Sequence, residues 1–226
     1  MNIENKYYYK IVSEYPENGI IIDTNEKTNH SMVKRFTELN NLLKLIYECS
    51  EKYQKSIREV LIESKSRKII FRKNSFQKSI KAIKKEIKKT DFNLNGEFKY
   101  FTYFILENVR LELIKNSDEK IPNRFESSYF FESIADCERY LINLDKTFNS
   151  SFYATNQSKV IKVKLIETKV LRKFDNILLT EFQDDYHSKD FQTTIKKYLL
   201  EETSENPLLE YVFQGLYKVL KNDIII

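Results

Sequence analysis

FKYFTYFILENVRLELIKNSDEKIPNRFESSYFFESIADCERY, residues 98–140, is the stretch that decides the fold. Its first half places Phe101, Ile105, Val109 and Leu113 at helical spacing, which predicts a helix with one apolar stripe. Glu107 and Arg110 lie one turn apart and read as a structural pair on that helix surface. Asn116, Ser117 and Asp118 break the pattern, and Pro122 forbids its continuation. Arg124 then leads into Ser127, Ser128, Tyr129, Phe130 and Phe131, a short β-prone run. Ser133 is placed to cap a further helix, with Asp136 at the third position as its acidic partner. Helix, Pro-Asn-Arg turn, buried strand and capped helix together imply an α+β protein.

Upstream of this unit, Lys6–Val12 (KYYYKIV) reads as a strand, Pro16–Gly19 as a turn and Gly19–Asp23 as a second buried strand. A long helix opens at Asn29 or Ser31. Its stripe of Met32, Val33, Phe36, Leu39, Leu43, Ile46 and Tyr47 is expected to run on to Leu61. Downstream, Asp145–Ser158 reads as a polar loop and Lys159–Ile166 as a half-buried strand. Val170–Leu179 is expected to carry another extended segment, and Asp190–Glu201 a helix with Phe191, Ile195, Tyr198 and Leu199 inward. Pro207 and Gln214-Gly215 bracket two short extended pieces within Asn206–Leu220, a hairpin or a bulged strand.

Composition narrows the functional classes. With 226 residues the chain has ample length for a core, and its 14% aromatic content argues against disorder. Three glycines leave no glycine-rich phosphate loop of either common pattern. Cys49 and Cys137 make no disulfide framework or zinc motif, and His30 and His187 lie in polar stretches without a triad neighbour, so no metal site is expected. Cys137 reads as a small packed residue. The first ten residues are polar and aromatic, unlike a signal peptide, and no apolar run approaches the roughly 20 residues that span a bilayer. A soluble, cytoplasmic protein without a membrane partner is expected.

Lys65–Lys89 is a basic block, eleven Lys or Arg against the single acid Glu86, so it carries +10 and the remainder of the +5 chain sums to −5. Phe71, Phe76, Ile80, Ile83 and Ile87 give it an apolar face. Three readings fit: a solvated helix face, a phosphate-tracking surface for nucleic acid formed by Lys68, Arg72, Lys73, Lys78, Lys81, Lys84, Lys85 and Lys88, or a contact with an anionic membrane surface.

The order of elements resembles a group of small bacterial and phage-borne proteins with an ADP-ribosyltransferase-like fold. The matching positions are Tyr9-Lys10-Ile11-Val12, Gly19–Asp23 and Glu26–Asn29. Further on they are Glu107–Arg110, Pro122–Arg124 with the strand through Phe131, and Asn206–Gly215. The resemblance covers most of the chain outside residues 40–95. It implies one domain over residues 1–226, with a split β-sheet core and a helical, basic insertion at about 30–95.

The resemblance also implies NAD as substrate, a macromolecular acceptor (nucleic acid or protein), and a toxin or phage-conflict role with an antitoxin or immunity partner. Carried over residue by residue, it makes Glu210 the catalytic carboxylate. Tyr9, Lys10, Arg124, Ser127, Ser128 and Tyr129 become the dinucleotide-binding set. Lys10 stands where the family has histidine; lysine binds phosphate as a point charge but lacks the ring's directed contacts. A fixed carboxylate beside the nicotinamide ribose would stabilise developing positive charge and help deprotonate the acceptor. From the residues alone, Glu210 also fits an exposed strand edge, and Arg124 a salt bridge with Glu107 or Glu126. The competing functional class is a binding module for nucleic acid or protein that keeps the fold without turnover.

Overall fold

The computed structural model of the protein describes residues 6–26, 30–66, 75–116, 120–148, 158–180 and 188–224. Among them are seven α-helices and five strands, an α+β composition. The chain divides into two compact units. One comprises Met1–Asn29, Asn116–Glu181 and Lys197–Ile226; the other comprises His30–Lys115 and Phe182–Lys196.

The first unit is built on an antiparallel sheet of β1 (Tyr7–Val12), β2 (Ile21–Asp23), β3 (Ser128–Phe130), β4 (Lys159–Asp175) and β5 (Leu209–Ile224). β1 and β5 flank β4, while β2 and β3 share the far edge of β5, opposite Leu216–Lys218 and Tyr211–Phe213 respectively. One bridge also ties β3's end to β1: Tyr9 N–H donates to Phe131 O at 2.9 Å, and Phe131 N–H to Tyr9 O at 2.8 Å. Because side chains alternate along a strand, each face has its own core. One face gathers Tyr8, Phe130, Ile161, Val163, Phe213, Tyr217 and Val219 into an aromatic cluster. The other gathers Tyr9, Ile11, Phe131, Val160 and Leu208 against Cys137 and Tyr140 of α5 (Ile134–Phe148). Val160 and Ile161, adjacent in sequence, are both fully buried, so this end of β4 is covered on both faces rather than half-buried.

β4 and β5 differ from the expected short pieces. Each is one strand, of 17 and 16 residues, and Ile166 and Lys169 of β4 drop out of their shared register. These irregularities lie opposite Gly215, whose φ is +142° and at which a Cβ would come within 2.0 Å of Glu167 O. A glycine is required there for the backbones to approach, and Asn206–Leu220 continues through Gly215 as one strand rather than turning as a hairpin, its own irregularity being Leu220. Past Asp175 the chain turns into α6 (Ile177–Thr180) instead of remaining extended to Leu179.

The second unit is helical: α1 (His30–Tyr53), α2 (Ile57–Lys65), α3 (Ser75–Thr90), α4 (Leu94–Asn116) and residues 188–196 of α7 (Ser188–Leu199). Leu39, Leu42, Leu43 and Ile46 of α1 are buried with Val60, Leu61, Ile80 and Ile83. On α4, Phe101, Ile105 and Val109 are buried as expected, and Phe101 meets Phe191 edge-on at 5.8 Å. The expected single helix to Leu61 is two helices. Gln54 adopts φ 51°, and Ser56 with Glu59 forms a reciprocal capping box that restarts the chain as α2. Ser133 caps α5: Asp136 N–H donates to its Oγ at 3.1 Å, and the Ser133 hydroxyl donates to Asp136 Oδ2 at 2.7 Å. That helix runs to Phe148, so the polar segment begins later than Asp145; residues 149–157 lie outside the described residues. No helix among the described residues is long and apolar enough to cross a membrane.

Candidate functional site

Pro122 ends the approach to the sheet, and Asn123 turns the chain by accepting Phe125 N–H on Oδ1 at 2.9 Å, which starts the 3-10 turn Arg124–Glu126. Ser127 closes this turn by donating its hydroxyl to Asn123 O at 2.6 Å, so that group is committed to backbone. β3 follows at once, and Tyr129 reaches back to donate its hydroxyl to Arg124 O. The Arg124 guanidinium lies 4.4 Å from the Tyr129 ring centroid, a cation–π geometry that fixes its plane.

From there Arg124 Nη1 donates to Glu210 Oε1 at 2.6 Å. Tyr198 of α7 donates its hydroxyl to the same oxygen at 2.6 Å and accepts from Arg124 Nη1. Glu210 is 1% exposed and the Arg124 side chain 11%. A carboxylate this deep is tolerable only when paired and hydrogen-bonded, and Arg124 and Tyr198 supply both. Burial drives the Tyr198 phenol well above its ordinary pKa, so it stays a donor. Phe174, the register partner of Glu210 on β4, stacks on Tyr198 at 4.6 Å and backs the cluster. Glu210 is therefore no exposed edge residue, and Arg124 pairs with Glu210 itself. Glu107 instead grips Arg110 through two bonds of 2.7 and 2.8 Å on α4.

Alternation separates the rest of the expected set. Tyr129 is the partner of Val212, two residues from Glu210, and Tyr9 is bridged to Phe131, so Tyr9, Tyr129 and Glu210 share the α5 face. Lys10 and Ser128 lie on the aromatic face. There Lys10 Nζ donates to Ser128 Oγ at 2.8 Å and lies 5.5 and 5.3 Å from the Phe130 and Tyr217 ring centroids. The structure thus brings Arg124, Tyr129 and Glu210 together, pairs Lys10 with Ser128, and divides these two groups between opposite faces.

Of the basic block, Lys78, Lys81, Lys85 and Lys88 are exposed on α3, whereas Lys84 is half-buried and donates to Ser66 O at 2.7 Å, closing the C-terminus of α2. Lys68, Arg72 and Lys73 lie outside the described residues, as does His187. Phe76 packs edge-on against Tyr53 at 5.0 Å. Among the described residues no cluster of three or more His, Cys, Asp or Glu is placed to hold a metal ion.

Two participants escaped the sequence reading. Tyr198 was legible only as an inward apolar position of α7, although a buried phenol usually finds a hydrogen-bond partner. Asp175 is fully buried and accepts Ile177 N–H, Ser204 N–H, Ser204 Oγ–H and Leu208 N–H at 2.6–3.1 Å, tying the segment before β5 to the end of β4. Nothing in its local sequence distinguishes it from a surface aspartate.

No protein-family model matches the chain, and no curated protein matches it in sequence. Fold and site define the class: an α+β protein whose five-stranded antiparallel sheet carries a buried Arg–Tyr–Glu cluster on one face.

Proposed function

We propose that the protein is an NAD-consuming ADP-ribosyltransferase acting on a macromolecular nucleophile, in a toxin or phage-conflict role. The observation that supports this most is the convergence of Arg124, Tyr129 and Glu210, three residues that the family resemblance marks independently. When NAD is bound, the bond from ribose C1′ to the nicotinamide nitrogen would break and one from C1′ to the acceptor's nucleophilic atom would form; nicotinamide would leave as a neutral ring, and the acceptor's proton would pass by way of Glu210 to solvent. Arg124 suits the diphosphate, and its exchange of Glu210 for that anion would uncover the carboxylate. Glu210, once uncovered, would face positive charge developing on the ribose and accept a hydrogen bond from the acceptor. Tyr129 would keep the guanidinium oriented, and Tyr198 would hold Glu210 in place by its remaining hydrogen bond. On this reading Lys10 and Ser128, on the opposite face, are structural.

A second reading, a binding module without turnover, is favoured by the 1% exposure of Glu210 and by the lysine at position 10. Nicotinamide release from NAD by the purified protein, with and without RNA, DNA or cell lysate, separates the two when run beside Glu210→Gln. Release that disappears in the variant supports the transferase; no release under any condition, with NAD bound by neither protein, supports the module.

A further inference from the structure

The lysines of α3 form one stripe. At about 100° per residue, Lys78, Lys81, Lys85, Lys88 and Lys89 fall within an arc of about 100°, and no other residue of the helix shares it. All five are exposed, and they extend over about 16 Å of helix axis. Ile80 and Ile83 point the other way, 2% and 0% exposed. The only acid, Glu86, lies on the flank of the stripe, 3.5 Å from Lys89.

On other described helices of the unit, opposite charges meet at this spacing. Arg35 pairs with Glu38, Lys44 with Glu48, Lys55 with Glu59 and Arg110 with Glu107, each an opposite-charge pair of adjacent turns. On α3 the same spacings set like charges together: Lys78 and Lys81, Lys81 and Lys85, Lys85 and Lys88, Lys85 and Lys89. Such pairs destabilise a helix, so the stripe works against the stability of its own element. The net charge of α3 also equals that of the whole chain. With six lysines and one glutamate α3 carries +5, and the other residues balance at 32 basic against 32 acidic.

We propose that this stripe is a docking surface for the phosphate backbone of nucleic acid. A linear row of cations with no acid inside it complements a phosphodiester strand, whose binding is driven by counterion release and does not depend on sequence. A membrane surface fits less well, because interfacial helices insert an apolar face and that of α3 is buried in the unit's core. An acidic protein fits less well, because the stripe offers none of the aromatic or arginine anchors on which protein interfaces depend. Lys84 is excluded from the surface by its bond to Ser66 O. The proposal stands on the helical unit alone and does not rest on the NAD reading.

Fluorescence anisotropy of the full chain with labelled single-stranded RNA and duplex DNA tests it across a salt series. Lys81→Gln/Lys85→Gln/Lys88→Gln is expected to weaken binding about tenfold or more at low salt and to flatten the log–log salt slope by about 2. Its melting temperature should equal or exceed that of the wild type, since repulsion is relieved. Lys44→Gln, on α1, should bind as the wild type does. Binding by the triple variant within about twofold of wild type overturns the proposal, as does failure of the wild type to bind either nucleic acid at low salt. Tighter binding to phosphatidylcholine–phosphatidylserine vesicles than to both nucleic acids overturns it in favour of a membrane surface.

Discussion

Arg124 and Glu210, 86 positions apart in the chain, meet at 2.6 Å with the carboxylate 1% exposed. Removing one member strands the other in a medium that penalises an unpaired charge, so the pair's first measurable consequence is stability. Arg124→Ala and Glu210→Ala should each cost about 3–5 kcal/mol, and the double variant clearly less than their sum. Urea unfolding of the four proteins in the cycle checks this; strict additivity would show that the two groups do not interact.

Gly215 is the register partner of Thr168 on β4. Alanine there is opposed both by φ +142° and by a Cβ 2.0 Å from Glu167 O. Thr24 exchanges two bonds with the same residue, of 3.1 and 3.0 Å, so β2 also depends on that backbone. Gly215→Ala should lose more than about 2 kcal/mol, read by chemical denaturation, while Gln214→Ala should be far milder. Equal stability of Gly215→Ala and wild type would mean that the two backbones do not approach as described.

How far the sequence carried this account depended on the range of each interaction. Phe101, Ile105 and Val109 announced a buried stripe, and Ser133 with Asp136 announced the start of α5, because periodicity and capping are local. The same rule was available at Ser56 and Glu59, where an apolar run continuing to Leu61 concealed the helix break. Bulges at Ile166 and Lys169 were invisible, since they depend on register with a strand about fifty residues away. At the site, Arg124, Tyr129 and Glu210 were marked by resemblance alone. Their convergence, the hydroxyl of Tyr198 and the separation of Lys10 from Glu210 are products of tertiary pairing. Lys84 shows the limit for charge runs: it looked like its neighbours, and only packing shows it bonded to Ser66 O.

Glu132 accepts bonds from Lys6 and from the Tyr211 hydroxyl, and these hold its carboxyl below the ordinary range. Because the folded-state pKa is depressed, this contribution is present above the unfolded-state value and is lost as pH falls through the folded one. Stability between neutral pH and the acid limb should therefore decline less in Glu132→Gln than in wild type. The side chain is 43% exposed, so the difference is small and shrinks with added salt. Melting temperatures across an acid pH series at two salt concentrations check it; parallel profiles would contradict it.

Burial raises the thiols of Cys49 and Cys137 to about 11 and about 12 respectively. Both are 2% exposed or less, so neither thiolate nor reagent has access in the native state. Native protein at mildly alkaline pH should leave a disulfide-exchange reagent uncoloured, and protein in denaturant should release two equivalents. Prompt native reaction at Cys137 would show that α5 is not packed on the sheet as described.

Nicotinamide release from NAD, wild type beside Glu210→Gln, tests the central functional claim most directly. Thermal melts of both proteins run alongside, because the substitution removes the buried carboxylate that pairs with Arg124. Release by wild type that is lost in a folded Glu210→Gln protein is the predicted result, with the additive that stimulates release identifying the acceptor class. No release under any condition, with no NAD binding by the folded wild type, would contradict it.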